Sequence, residues 1–291
     1  MHAFFRDEMI VAVSDLTTPS HQKLHRLIAM LRQRDDTQIV SDFAPLQWHD
    51  WAEIHDKTFV LSVAAADQAT FDRATIPVSK LMADSVAFGG GSMIAAANEA
   101  IKKRCAFSPS SGFHHAHWDH PGPLCLLNAL PLTALHILKQ PSFNRVLILD
   151  CDYHRGDGTD DILMRLGDDR ITHESLGFRY SRRQDAEDYL SAINQISIRI
   201  KRQEFDFVIY QAGMDVLLGD PAGGGLLTLA QARDRDQMIF AACERGAVPI
   251  VWNLAGGYPR DRDDGYDALM KGHLNTLDCA CLLYTSDAAD E

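Results

Sequence analysis

No apolar run in the chain approaches the roughly 18 residues of a membrane-spanning helix. The opening stretch, MHAFFRDEM, carries charges where an export signal needs an unbroken apolar segment, which points to a cytoplasmic protein with no membrane partner. Basic residues are in deficit: 28 Lys and Arg against 40 Asp and Glu give a net charge of −12. That leaves little to neutralise a phosphate backbone and argues against a nucleic-acid partner, whereas an acidic surface attracts cationic small molecules or basic peptides. The six cysteines, Cys105, Cys125, Cys151, Cys243, Cys279 and Cys281, are too few for a disulfide framework in 291 residues, so reduced thiols are expected. Cys279 and Cys281 flank a single residue, too close for a CxxC pair. There is no repeat, low-complexity tract or Pro/Ser-rich linker, so one domain is expected over residues 1–280. The closing segment 281–291 (CLLYTSDAADE) reads as adapter-derived and non-native, and is set aside.

What the chain does contain is alternation. Residues 21–34 place Leu24, Leu27, Ile28 and Leu31 at helical spacing, with basic residues on the other face. Ser79 suits the cap of a helix running to Lys103, which Gly89–Gly91 either breaks or opens to a close neighbour. Further helices are expected over 131–139, 186–201 and 228–245. Between them lie short, unbroken apolar runs at 146–149, 207–210 and 248–252, the pattern of strands buried on both faces of a parallel sheet. Strands and helices in turn give an α/β layered fold.

Each run ends in polar residues, and in open α/β sheets ligands bind beyond the carboxyl ends of the strands. Asp150, Asp152 and His154 alternate, so in extended chain they share a face. That set suits a divalent cation, with solvated loop carboxylates as the competing reading; Asp215, at the next strand end, adds another oxygen. Asp, His and Asp around one ion leave a position open for water. The tandem His114-His115 is either a surface pair or a general acid–base pair, for which Asp150 and Asp157 are available as orienting carboxylates. Tyr258, on a glycine-rich turn, offers a phenol to a developing oxyanion or is simply a packed tyrosine.

In this order, GFHHA, LDCDYHRGDGT, YQAGMDVLLGDPAGG and NLAGGY resemble the histone deacetylase family of the arginase/deacetylase superfamily, most of all its bacterial acetylpolyamine-amidohydrolase-like members. The resemblance runs from about His55 to Tyr258. It implies a three-layer α/β/α fold with a central, mostly parallel sheet. It also implies a metal, Zn²⁺ or Fe²⁺, on Asp152, His154 and Asp215, and a structural K⁺ beside the strand end. His114 and His115 would be paired with Asp150 and Asp157, Tyr258 would polarise the substrate carbonyl, and Pro123, Leu124, Gly256 and Gly257 would contact substrate. The implied reaction is removal of an acetyl or short acyl group from an N-acylated amine, such as acetyl-lysine in a peptide or an acetylpolyamine.

Two departures mark this chain. The family's Gly-Phe-Cys is Pro123-Leu124-Cys125, which loses an aromatic wall, and the stretch after His173 is short, leaving Phe178 or Tyr180 to supply a second aromatic. Two other readings share the motifs: an arginase-like ureohydrolase, which needs two Mn²⁺ ions, and a catalytically silent acyl-amine-binding protein. The histidine in the DxDxH run favours a single metal, and the acid–base pair is superfluous in a binder. His55-Asp56 matches a family element at the site rim and is expected to be structural.

Overall fold

The computed structural model describes residues 1–11, 22–77, 79–258 and 265–285. His21, at the expected start of the first helix, and residues 286–291 lie outside these. Seven strands, β1 (His2–Phe4), β2 (Gln38–Val40), β3 (Cys105–Phe107), β4 (Val146–Asp150), β5 (Ile171–Ser175), β6 (Phe207–Gln211) and β7 (Ile250–Asn253), form one sheet in the order β2-β1-β3-β7-β6-β4-β5. Every pairing among them is parallel. Helices α1 (Gln22–Leu31), α2 (Trp48–Trp51), α3 (Lys57–Ala64), α4 (Gln68–Arg73), α5 (Lys80–Lys103), α6 (Ala129–Leu138), α7 (Asp157–Leu166), α8 (Ala186–Lys201), α9 (Leu229–Gly246) and α10 (Gly265–Tyr284) flank it.

The central strands read as unbroken apolar runs because helices cover both of their faces. Successive side chains still point to opposite sides. Leu147, Leu149, Val208, Tyr210, Ile250 and Trp252 enter one core, where Leu27, Tyr189, Phe240 and Leu277 of α1, α8, α9 and α10 meet them. Val146, Ile148, Phe207, Ile209 and Val251 enter the other, against Trp51, Val60, Leu130 and Ile162 of α2, α3, α6 and α7. Two cores on either side of one sheet make the three α/β/α layers. Each fully buried aliphatic side chain here contributes roughly 1.5–3 kcal/mol relative to exposure.

Local chemistry sets the helix starts. The Ser79 hydroxyl accepts from the Met82 N–H (3.4 Å), and Thr228 and Gln231 close a reciprocal capping box. The Gly89–Gly91 run leaves α5 unbroken: a Cβ on Gly90 would meet Leu46 and Trp51 at 2.5 Å, and one on Gly91 would overlap the Ala44 carbonyl. The glycines let the segment around residues 44–51 lie against the helix. At the other end of the chain, α10 runs through the boundary expected after residue 280. Cys281 is 5% exposed within the first core, and the Tyr284 hydroxyl donates to the Phe240 carbonyl (3.3 Å). All six cysteines are buried and free. No helix among the described residues is long and apolar enough to cross a membrane.

Candidate active site

Four strands that are neighbours in the sheet, β3-β7-β6-β4, each send a loop from their carboxyl ends to one place. His114 and His115 follow β3, Asp150 ends β4 with Asp152 and His154 just beyond, Asp215 follows β6, and Gly256 and Tyr258 follow β7. The extended alternation expected for Asp150, Asp152 and His154 stops at Asp150, where the chain turns. The turn is pinned by the Asp152 N–H on Asp150 Oδ1 (3.1 Å) and the His154 N–H on Asp152 Oδ1 (2.9 Å). It sends Asp150 towards His114 and the other two side chains towards Asp215.

Asp152, His154 and Asp215 each present a ligand atom within 4.8 Å of the others. His154 Nδ1 lies 3.1 Å from Asp152 Oδ1 and 3.0 Å from Asp215 Oδ2. Both carboxylates are buried, where an unpaired charge is costly. Burial opposes ionisation at Asp152, but the nearby His114 and His154 imidazoles hold it low. At Asp215, burial and the Asp152 charge win and push it up to about 7. The pair is short of positive charge, and the donor set of two carboxylates and one imidazole fits a divalent cation. Burial would lower His154, but its two carboxylate partners raise it to about 10. A ligand histidine must be neutral, so binding a cation here releases that proton.

The tandem imidazoles lie beside this cluster, 4.0 Å apart between ring centroids, and the His115 ring is 5.8 Å from that of His154. Each is backed by its expected carboxylate. His114 Nδ1 donates to Asp150 Oδ2 (2.8 Å), and His115 Nδ1 to Asp157 Oδ1 (2.6 Å). Each Nδ1 is thereby engaged, and His114 Nε2 stands 3.7 Å from Asp152 Oδ1. Burial disfavours charge on His114, but Asp150 and Asp152 outweigh it and raise the ring to about 9. Asp157 stays ionised, held at about 2 by His115 against the effect of its partial burial. Asp150 also accepts from Gln211 Nε2 (3.2 Å), and the His173 ring stands 3.9 Å away, anchored on Asp160 (2.7 Å).

Gly256 belongs against the carboxylates of this cluster. Its N–H donates to Asp152 Oδ2 (2.7 Å), and a Cβ there would overlap Asp152 and Asp215. Gly257, with φ of 133°, is packed behind against Leu269 and Met214 and does not reach the cavity. The Tyr258 N–H donates to Asp220 Oδ2 (2.7 Å). Burial and the neighbouring carboxylates raise the Tyr258 phenol well above its usual range, so it stays a donor. A cavity of about 220 Å³ joins His114, His115, Asp152, Gly256 and Tyr258, with exposed Pro123 and half-buried Leu124 also on its wall. Phe113, Leu124 and Ala255, all on this cavity, are non-glycine residues with φ of 84°, 57° and 53°. Backbone strain of this kind persists where the surroundings over-determine it.

Two supporting residues, Lys23 and Arg235, escaped the sequence reading, whereas His55 was expected there as a structural residue. Lys23 is 3% exposed, lines the cavity and donates to the Ala255 carbonyl (2.6 Å). Burial lowers it to about 8, with Asp215, Asp152 and Asp220 holding it up. Its spacing of four and eight residues from Leu27 and Leu31 was the available signal for a cation on the apolar face. Arg235, fully buried, donates to the Gly213 carbonyl and to Asp236, both at 2.8 Å, and so fixes the loop that carries Asp215. His55 donates from Nδ1 to the His117 carbonyl (2.8 Å) and accepts from the Asn128 N–H (3.0 Å), tying the histidine loop to the start of α6.

The chain matches the histone deacetylase domain over residues 18–178 and 165–272. It belongs to the histone deacetylase family. An uncharacterized protein of Picosynechococcus sp. is 26% identical over 191 residues, 60% of this chain and 63% of that protein. Histone deacetylase 2 of Arabidopsis thaliana is 27% identical over 188 residues, 58% of this chain and 48% of the relative. The chain thus matches less than two thirds of either relative. The crystal structure of the HDA15 HD domain superposes with a TM-score of 0.75 at 19% identity, covering 100% of this chain and 98% of that one, and shares the fold. Of the two aromatics in the short segment after His173, Phe178 stands beside the site, 60% exposed, with its ring 5.8 Å from that of His154. Tyr180 packs on Tyr189 instead.

Proposed function

We propose that the chain is a metal-dependent amide hydrolase that removes an acetyl or short acyl group from an N-acylated amine, such as an acyl-lysine or an acylpolyamine. One arrangement supports the reading: two imidazoles, each backed by its own carboxylate, share a cavity with Asp152 of an Asp–His–Asp cluster and with a phenol held protonated. Asp152, His154 and Asp215 would hold Zn²⁺ or Fe²⁺. When bound, such an ion supplies Lewis-acid polarisation of the amide carbonyl and lowers the pKa of water.

The chain's own groups do the rest. His115, the more exposed ring of the pair, takes a proton from the attacking water at Nε2 and returns it to the departing nitrogen. His114, buried and held by Asp150, contributes fixed charge beside the reacting carbon. Tyr258 donates to the developing oxyanion. Water's oxygen joins the acyl carbon as the C–N bond breaks, and both water protons finish on the nitrogen, giving a carboxylate and an ammonium ion. The net charge of −12 and exposed Phe178 beside His154 favour a cationic amine portion.

The reading is tested by incubating metal-loaded protein with acyl-lysine peptides, acylpolyamines and small acylated amines, with carboxylate release as the readout. Tyr258→Phe is expected to keep its metal, measured by elemental analysis, and to lose about 100-fold or more in turnover. Full turnover in that variant removes the oxyanion role from Tyr258, and no carboxylate from any substrate removes the hydrolase reading.

A further inference from the structure

The cavity extends well past the reacting groups. Besides His114, Asp152 and Tyr258 its lining includes Ile76, Met82, Val86, Gly89, Leu126 and Leu127, a mostly apolar limb that also carries Ser85 and Ser110. An acetyl group presents one methyl there, comparable in bulk to a water molecule, which takes about 30 Å³ of liquid. The cavity as a whole, the space around the reacting groups included, measures about 220 Å³. Unlike Gly90 and Gly91, whose bare backbones are needed for packing, Gly89 has room: a Cβ would sit 3.8 Å from Phe113 and 3.9 Å from Ser110. Its missing side chain is therefore not demanded by a neighbour, and it leaves volume in the cavity.

One buried charge decides which half of a substrate the limb suits. The Lys23 ammonium sits on the same cavity, bonded to the Ala255 carbonyl next to Gly256. A cationic amine portion is repelled from it, whereas a neutral acyl chain is tolerated and the carboxylate released from that chain is attracted. The exposed Phe178, which touches His154 and does not line the cavity, is left for the amine side.

We propose that this site takes an extended apolar acyl group, from butyryl to octanoyl, in preference to acetyl. The inference rests on the hydrolase reading above and names its substrate class. Each methylene buried along the limb is worth about fourfold in binding, so selectivity rises steeply with chain length until the limb is full.

The experiment uses metal-loaded full-length protein and one amine carrying acetyl, butyryl, hexanoyl or octanoyl, with kcat/KM as one readout. The second is calorimetric binding of acetate, butyrate, hexanoate and octanoate, which needs no turnover. Expected are a rise of about fourfold per methylene in both series and a reversal in Gly89→Leu, whose side chain fills the limb and makes acetyl the best acyl group. Gly89→Ala keeps the wild-type order, and thermal unfolding shows that each variant is folded. Turnover that is best with acetyl and falls with length, together with carboxylate binding that does not rise, overturns the proposal while the hydrolase reading stands. Binding that rises with length without turnover of any amide supports the limb and overturns the hydrolase reading. An unchanged length order in folded Gly89→Leu also overturns the proposal.

Discussion

His55 shows how one buried imbalance is felt in the stability of the protein. Its ring is fully enclosed with both nitrogens engaged in the neutral form, and burial lowers it from 6.5 to about 4. The unfolded chain therefore binds a proton on His55 between those two values while the native chain does not. Stability from this residue is present above pH 6.5 and lost as the pH falls towards 4, up to about 3 kcal/mol. His273, also lowered by burial, acts in the same direction. His55→Gln, whose amide can donate and accept at similar points, is expected to flatten that slope in urea unfolding between pH 7 and pH 4. Equal slopes in the two proteins would show that His55 does not titrate in this way. Residues with chemistry in their own names and spacing, such as His114, His115, Asp152, His154 and Asp215, were legible from the sequence. Lys23 and Arg235 were not: a cation on a helix's apolar stripe looks like a break in amphipathicity until its carbonyl partner, distant in sequence, is seen.

Among the elements, α5 gives the sharpest contrast, because three consecutive glycines do different things. A methyl on Gly91 would overlap the Ala44 carbonyl, which is backbone and cannot move aside easily. Gly91→Ala is expected to cost about 2 kcal/mol or more in denaturant unfolding. Gly89→Ala meets only ordinary contacts and is expected to be neutral or to stabilise by up to about 1 kcal/mol, the helix-propensity difference. Similar losses at both positions would mean that α5 does not lie against residues 44–51 as described. The run was legible as a break or a close approach, and only the position of the neighbouring segment separates the two. The long central strands announced themselves as apolar runs, whereas β1, β2 and β3 are three residues each and too short for any period.

For the molecule as a whole, the clustering of Asp150, Asp152 and Asp215 at 3% exposure or less means that a cation bound there would also stabilise the fold. One equivalent of Zn²⁺ is expected to bind, where an arginase-like site would take two ions. At a hundredfold excess over Kd it stabilises the fold by about 3 kcal/mol, a rise in Tm of several degrees for a chain of this size. Chelation reverses the shift, and Asp215→Asn is expected to abolish it. A Tm indifferent to metal in the unaltered protein would remove the cation from this cluster.

The order β3-β7-β6-β4 has a consequence for synthesis on the ribosome. The last contributors to the site, Gly256 and Tyr258, come from the final strand, which inserts between two that were made much earlier. A nascent chain ending short of residue 250 already carries both histidines and every carboxylate of the site, yet lacks the strand that stands between β3 and β6 and pairs with both. The growing polypeptide therefore cannot complete the site until its C-terminal part emerges.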